Sequence, residues 1–566
     1  MKTKPNTIQS TLLVSTLMFL LGTLSRTLGA DARLDAFYAA LTNASFVVNS
    51  GSTVLVDAIG MVDEHKVDSA AGNQATQPYK RFEIPVYPVR EMDTDEKQTG
   101  AFRLNTNEAV VYLGPTPPQC DYFSICPFLF VRRTNSLVPL PKGEWLFASL
   151  NDPLNNMLIK TEGNTNVFAS NTLIIFTPDA VTYEAIANCA QKAGYPESMI
   201  NLYRLPADQL HLGVETNTQT DTLFILMRTA YFANQAVGNS YLNNTNYAKV
   251  YRVTPPPTQV ASLSYTNLTW RNREWTNEAF LVPGLTEGLT NLEAAIIANT
   301  PHIQHRSFSS TRWWPDSKDV LQDIPGSSAY RQFVAGESSD TPYLRTSENG
   351  AATSFTLGLD DLLVVYGVNH QQSGLATYGN FAVYADWMWS TNYDLSAEPA
   401  YHIGCSNYIW SGVAGLGSHD FNGSTTPFLP NDSFASNYLY AIKVVRGTIT
   451  AQHTNGNLAV RWSYGSLQTA NNPGGPWLTL TNATPPTFTL PTNATQAFYR
   501  VKLPDYTIIL PEPTPMLGSN PPVSADGIGL NSPALVGYRA YLSSHTKSGP
   551  SYNDIIPDRA LLFKLR

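Results

Sequence analysis

His370, Ser373 and Tyr378 fall together in one polar stretch, Asn369 to Asn380 (NHQQSGLATYGN). A histidine can act as general base, a serine as nucleophile and a tyrosine as proton donor. Asp360, Asp361 and Asp386 flank the stretch. A carboxylate such as Asp386 would complete an acid/base pair with His370, the arrangement expected of a secreted hydrolase whose site is assembled from loops. The competing reading is a loop tied down by its own Asn, Gln and Ser hydrogen bonds.

A second group of candidates binds rather than reacts. Trp313 and Trp314 follow Arg312 and precede Pro315, and Trp387, Trp389 and Trp410 lie further on. Flat indole faces stack on sugars, so Trp313 and Trp314, with Asn369 as a polar contact, are the ligand-binding candidates. Metal-ligand spacing occurs at His302-x-x-His305 and His402-x-x-Cys405. Neither has a paired Cys-x-x-Cys and no H-E-x-x-H is present, so no metal and no cofactor is assigned. G-x-S-x-G is absent, and in Gly417-Ser418-His419-Asp420 adjacent side chains point in different directions, unlike a triad.

Strand patterns position these residues. Leu362 to Val368 and Phe381 to Trp389 flank the polar stretch, which is longer than an ordinary hairpin connection. Ala109 to Leu113 and Tyr122 to Arg132 are apolar strands, whereas residues 64–100 are polar and punctuated by proline, a surface excursion. A helix is predicted in residues 31–47 and another over Thr286 to Asn299. The clearest local unit spans residues 171–205. Leu173 to Phe176 form a strand, Thr177 and Pro178 open a helix, Gly194 stops it, and Met199 to Leu205 return as a strand. No glycine-rich phosphate loop joins strand to helix, so a nucleotide site is not indicated.

The chain has 566 residues, 43% hydrophobic and only 14% charged, with a net charge of −8. That composition supports large cores under a neutral, hydrogen-bonding surface. No Lys/Arg cluster offers a footprint for a phosphate backbone, so nucleic acid is disfavoured. Met1 to Ala30 has the form of an export signal: Lys2 and Lys4, an apolar run from Thr11 to Leu24, and a small residue at Ala30. Its removal leaves a net charge of −11 and no further segment long enough to span a membrane. Export permits disulfides, yet Cys120, Cys126, Cys189 and Cys405 are too few for a disulfide scaffold. Three pairings are open, and Cys120 could reach Cys126 only across a turn. Seven N-x-S/T sequons fall at Asn43, Asn243, Asn267, Asn422, Asn431, Asn482 and Asn493.

Residues 447–503 have the character of a small separate β module. Strands at Thr448–His453 and Asn457–Trp462 flank Asn455-Gly456, a tight-turn signal, and Ser466-Leu467-Gln468-Thr469, Gly475-Pro476-Trp477 and Phe498-Tyr499-Arg500 follow. This order resembles a small immunoglobulin- or fibronectin-like module of secreted bacterial proteins. The resemblance implies an accessory sandwich without catalytic residues. The stretch at 369–380 likewise resembles segments of uncharacterised secreted proteins and implies no activity.

These readings give an α+β fold, mainly antiparallel β-sheet, with one β-α-β unit, a few helices and a small β-sandwich module. The expected order is a signal over 1–30, an α+β region over 31–254 and a β-rich region over 255–446. The module follows over 447–503, and residues 504–566 form a proline-rich strap whose two strands return to the main body, making the module an insertion. The expected function is an extracellular binding or surface protein for a polymer such as glycan, with the hydrolase around His370 as the alternative.

Overall fold

The structure, a computed structural model, describes residues 32–565 except 65–66, 68, 87–97, 133–143, 164–165, 215–219, 260–263, 323–333, 387–408, 448–449, 455–456, 463, 484, 486, 492–496 and 517–522. Residues 1–30, Trp387, Trp389, His402, Cys405 and the Asn455-Gly456 turn therefore lie outside the described residues. The fold is α+β and mainly antiparallel sheet.

Two large sheets carry it. Nine strands form the spine of the first: β1 (Val47–Val56), β2 (Tyr79–Pro85), β3 (Ala109–Pro115), β4 (Cys120–Arg132), β5 (Glu144–Ser149), β6 (Asn171–Thr177), β7 (Ile200–Arg204), β8 (Thr222–Phe232) and β9 (Lys249–Thr254). Nine more form the second: β10 (His302–Arg312), β11 (Tyr343–Glu348), β12 (Asp361–Val368), β13 (Tyr378–Ala385), β14 (Ser411–Gly417), β15 (Leu439–Arg446), β16 (Thr507–Leu510), β17 (Pro533–Tyr541) and β18 (Arg559–Leu565). The first sheet runs β7-β6-β3-β9-β1-β2-β8-β4-β5, and the second runs β16-β15-β12-β18-β10-β11-β17-β13-β14. Each strand of the second sheet holds the place of the strand nine before it. Along each spine one pair is parallel, β6 with β7 and β15 with β16, and the other pairs are antiparallel. One nine-strand topology is thus built twice in a single chain.

The helices repeat with the strands. Helix α1 (Ala32–Asn43) precedes β1 and buries Phe37 and Leu41 beside Val111 and Leu113 of β3. Its counterpart (Leu285–Asn299) precedes β10 and buries Leu289 and Ile296 beside Leu362 and Val364 of β12. Burying one such leucine contributes about 2 kcal/mol. The parallel pairs differ in their crossovers. Between β6 and β7 lies the helix Ala180–Lys192, capped by Asp179, whose carboxylate accepts from Thr182 N at 2.9 Å. The cap falls two residues past Thr177, because Asp179 and not Thr177 reaches the free amide. Between β15 and β16 lies a small module of two three-stranded sheets, with Val460, Trp462 and Leu467 at its centre. Strands β17 and β18 then lie inside the second sheet, flanked by β11 and β13 and by β10 and β12.

Two elements differ from their sequence readings. Residues 64–100 hold β2, an inner strand between β1 and β8. Its alternation is hidden because Lys80 occupies a core-facing position along with Phe82 and Ile84. Lys80 donates Nζ to the carbonyl of Asn244 at 3.0 Å, and burial lowers its pKa to about 8. The polar stretch after β12 does not close a hairpin either, since β12 pairs with β15 and β18 while β13 pairs with β14 and β17. Cys120 and Cys126 share the extended strand β4 and, like Cys189, are buried free thiols.

Candidate functional site

The polar stretch places His370 in a sealed ionic cluster. Its Nδ1 lies 2.8 Å from Glu278 Oε1 and its Nε2 lies 3.1 Å from Asp558 Oδ2. Ser373 donates its hydroxyl to Glu278 at 2.5 Å, Ile556 N donates to Glu278 at 3.0 Å, and Tyr440 donates its hydroxyl to Asp558 at 2.9 Å. Burial alone would discharge the ring, but Glu278 and Asp558 outweigh it and raise the pKa to about 10. At neutral pH His370 is an imidazolium donating both protons, with no lone pair to accept one. The cluster is suited to holding β12 and β18 to the segment around Glu278.

The other candidates lie apart from it. Tyr378 is buried at the start of β13, its hydroxyl 3.3 Å from that of Thr76. Asp386 lies just past the far end of the same strand, about 26 Å along at 3.3 Å per residue. It accepts from Arg345 Nη2 at 3.0 Å and Trp410 Nε1 at 2.8 Å, and also from Ser354. The strand length therefore separates Asp386 from His370. Asn369 is buried and donates Nδ2 to the carbonyl of Ser418 at 3.2 Å. Asp360 and Asp361 pair with Arg461 and Lys564. His419 stacks on Tyr231 at 3.8 Å and contacts Asp121, away from any triad with Ser418. His302 and His305 sit 3.2 Å apart on β10, and among the described residues no group of three or more metal-ligating side chains forms.

Trp313 and Trp314 face inward. Trp314 is 5% exposed, and the pair packs with Tyr343, Tyr384 and Trp410. Close to them lies a cavity that the sequence reading missed.

That cavity lies between the two halves and is about 90 Å3 in volume. Tyr79, Phe130, Trp145, Phe147, Phe224 and Tyr343 supply its aromatic walls, and Arg228 and Arg539 also line it. The two arginines are equivalent: Arg228 on β8 is in register with Tyr79, and Arg539 on β17 with Tyr343. Each reaches a turn of the opposite half. Arg228 donates Nη2 to the carbonyl of Gly336 at 2.5 Å, and Arg539 donates Nη2 to the carbonyl of Gly72 at 2.6 Å. Both glycines follow an alanine, and all four residues have positive φ: Ala71 52°, Gly72 64°, Ala335 52° and Gly336 69°. Asn73 N donates to Ala70 O and Glu337 N to Val334 O, each at 2.9 Å, closing two turns of type I′.

The turns are exchanged between the halves. Gly336 N donates to Phe147 O of the first half at 2.9 Å, and Gly72 N donates to Trp410 O of the second at 3.1 Å. A Cβ on Gly336 would lie 2.8 Å from the Phe147 ring, and one on Gly72 would lie 2.7 Å from the Trp314 ring. The signal in the sequence is the pair Ala71-Gly72…Pro78-Tyr79-x-Arg81 and Ala335-Gly336…Pro342-Tyr343-x-Arg345, identically spaced.

The two equivalent spaces are filled differently. In the second half Trp313 N donates to Tyr343 O at 2.8 Å, Trp314 occupies the room beside Gly72, and Trp313 lies against Gly537. In the first half Val56 pairs with Tyr79, so Val56 and Asp57 stand where the two tryptophans do. Phe147 takes the room beside Gly336, and Val56 stands on the wall of the cavity.

No protein-family model and no curated protein matches the chain. Among solved structures it is similar to an uncharacterised protein from Burkholderia cenocepacia, at 8% identity over 87% of this chain and 78% of that one, with a TM-score of 0.31. It is also similar to the VPA0106 protein from Vibrio parahaemolyticus, at 9% identity over 94% of this chain and 98% of that one, again with a TM-score of 0.31.

Proposed function

We propose that this chain is a binding protein that seats a small, largely apolar molecule in the cavity between its halves. The observation that carries the reading is the aromatic-walled cavity itself, on whose wall Val56 takes the register place that Trp313 holds in the other half. An aromatic, concave wall with a few polar groups is the usual make-up of a small-molecule site. A polymer such as glycan is less favoured, because Trp314 is buried and Trp313 is partly buried against Tyr384 and Trp410. A hydrolase around His370 is less favoured because the ring has no nitrogen left to take a proton.

Val56→Trp tests the reading by carrying the other half's residue onto the cavity wall. Ligand-observed NMR with short alcohols, amides and acids should detect binding to the unchanged chain and lose it in the variant. If no such compound binds, or if Val56→Trp binds them equally well, the reading is wrong.

Export belongs to the same proposal and rests on the Met1–Ala30 pattern. Expression in a bacterial host should yield a processed chain beginning near Asp31 outside the cytosol. The 450–502 module is read as accessory, supported by its own core around Trp462.

A further inference from the structure

Three buried arginines are matched by carboxylates: Arg132 pairs with Asp221 at 2.6 Å, Arg252 with Glu108 at 3.0 Å, and Arg446 with Glu512 at 3.2 Å. Arg228 has no carboxylate partner among the described residues. It is 4% exposed, lines the cavity, and its only hydrogen bond among the described residues is the one from Nη2 to Gly336. Its Nη1 is buried without a partner. The Phe128 ring lies 5.1 Å beneath the guanidinium and offsets part of the desolvation, but a ring face is a weaker counterpart than an anion.

A buried cation that keeps its charge and leaves one nitrogen unused is a site for an anion supplied from outside. We propose that the cavity binds a short-chain carboxylate, whose charge is met by the Arg228 guanidinium on the cavity wall while its hydrocarbon body packs on Phe130, Phe224 and Leu226. The inference rests on the cavity reading above and adds the charge of the occupant. Volume limits the body. An apolar cavity of about 150 Å3 holds benzene, and this one, at about 90 Å3, is smaller. Charge limits the head. A phosphate monoester brings close to two charges and three acceptor oxygens, more than one free guanidinium nitrogen can satisfy.

The test compares butyrate, butyramide, butanol and propyl phosphate on the full chain by calorimetry or ligand-observed NMR. Butyrate should bind at least about tenfold more tightly than butyramide, a difference of about 1.4 kcal/mol. Arg228→Met should erase the preference, and Arg228→Lys should restore part of it, because the charge returns without the planar fork. If Arg228→Met fails to fold, the comparison of butyrate with butyramide on the unchanged chain decides alone. Equal affinities of those two, or tighter binding of propyl phosphate, overturn the carboxylate assignment while leaving the cavity reading standing. If none of the four compounds binds, both readings fall.

Discussion

Arg228 and Arg539 hold the same place in two copies of one sheet, and each gives its Nη2 to a left-handed glycine of the other copy. The two halves are therefore joined by reciprocal contacts at the wall of the cavity. Several measurements follow from this arrangement and from the ionic cluster around His370.

Gly336→Ala and Gly72→Ala should each destabilise the chain by about 2–4 kcal/mol. The positive φ costs about 1–3 kcal/mol for a non-glycine residue. The added methyl also meets the Phe147 ring in one case and the Trp314 ring in the other, an overpacking cost of about 1–3 kcal/mol. Urea unfolding checks this, and a change within about 0.5 kcal/mol would show that the turns yield freely. Gly350 is the control: its φ is also positive, but a Cβ there meets nothing within 4 Å.

His370→Gln should cost about 3–5 kcal/mol at pH 7, the usual cost of removing one partner from a buried ionic cluster. The sign of the pH dependence follows from the raised pKa. The imidazolium's contribution is complete below the ordinary value near 6.5 and disappears as pH rises through about 10. The stability gap between the unchanged chain and the variant should narrow over that window. A gap that stays constant from pH 6 to 10.5 would mean the ring is neutral in the folded chain.

Asp340 has the opposite consequence for an acid. It is fully buried, accepting from Asn155 Nδ2 at 2.9 Å and the Tyr122 hydroxyl at 3.1 Å, with Arg271 Nη2 at 3.7 Å. Burial raises its pKa to about 7 against the pull of Arg271. The folded state then holds a proton that the unfolded chain has released, so this group's contribution is lost as pH rises from about 4 to about 7. Asp340→Asn should flatten the fall in stability between pH 4 and 8. An unchanged slope would place the titration elsewhere.

Truncation after Leu503 should abolish cooperative unfolding of the second half. It removes β16, β17 and β18, the partners of β10, β11, β12, β13 and β15, together with Arg539 and Asp558. A truncated chain with an unchanged melting temperature would show that these strands are dispensable.

Much of the local structure was legible in the residues. The apolar runs at Ala109–Leu113 and Leu362–Val368 are strands, and the helix between two parallel strands in 171–205 follows from its periodicity and stop signal. The duplication was not legible, because its few shared residues are spaced identically but separated by unlike ones. Strand β2 was concealed by Lys80, whose burial depends on carbonyls contributed by the segment around Tyr241. His370 drew attention as a reactive residue, and nothing local reveals that Glu278 and Asp558, 92 and 188 positions away, occupy both of its nitrogens. Arg228 was invisible for the same reason: its neighbours are those of any buried strand, and its meaning depends on a glycine in the other half.

Residues 56–57 and 313–314 differ although they stand in matching places. In a symmetric pair of identical chains each substitution is made twice, so both places would carry the same residue. Fusing the copies end to end frees them from that tie. Val56 and Trp313 can then shape their two surroundings independently.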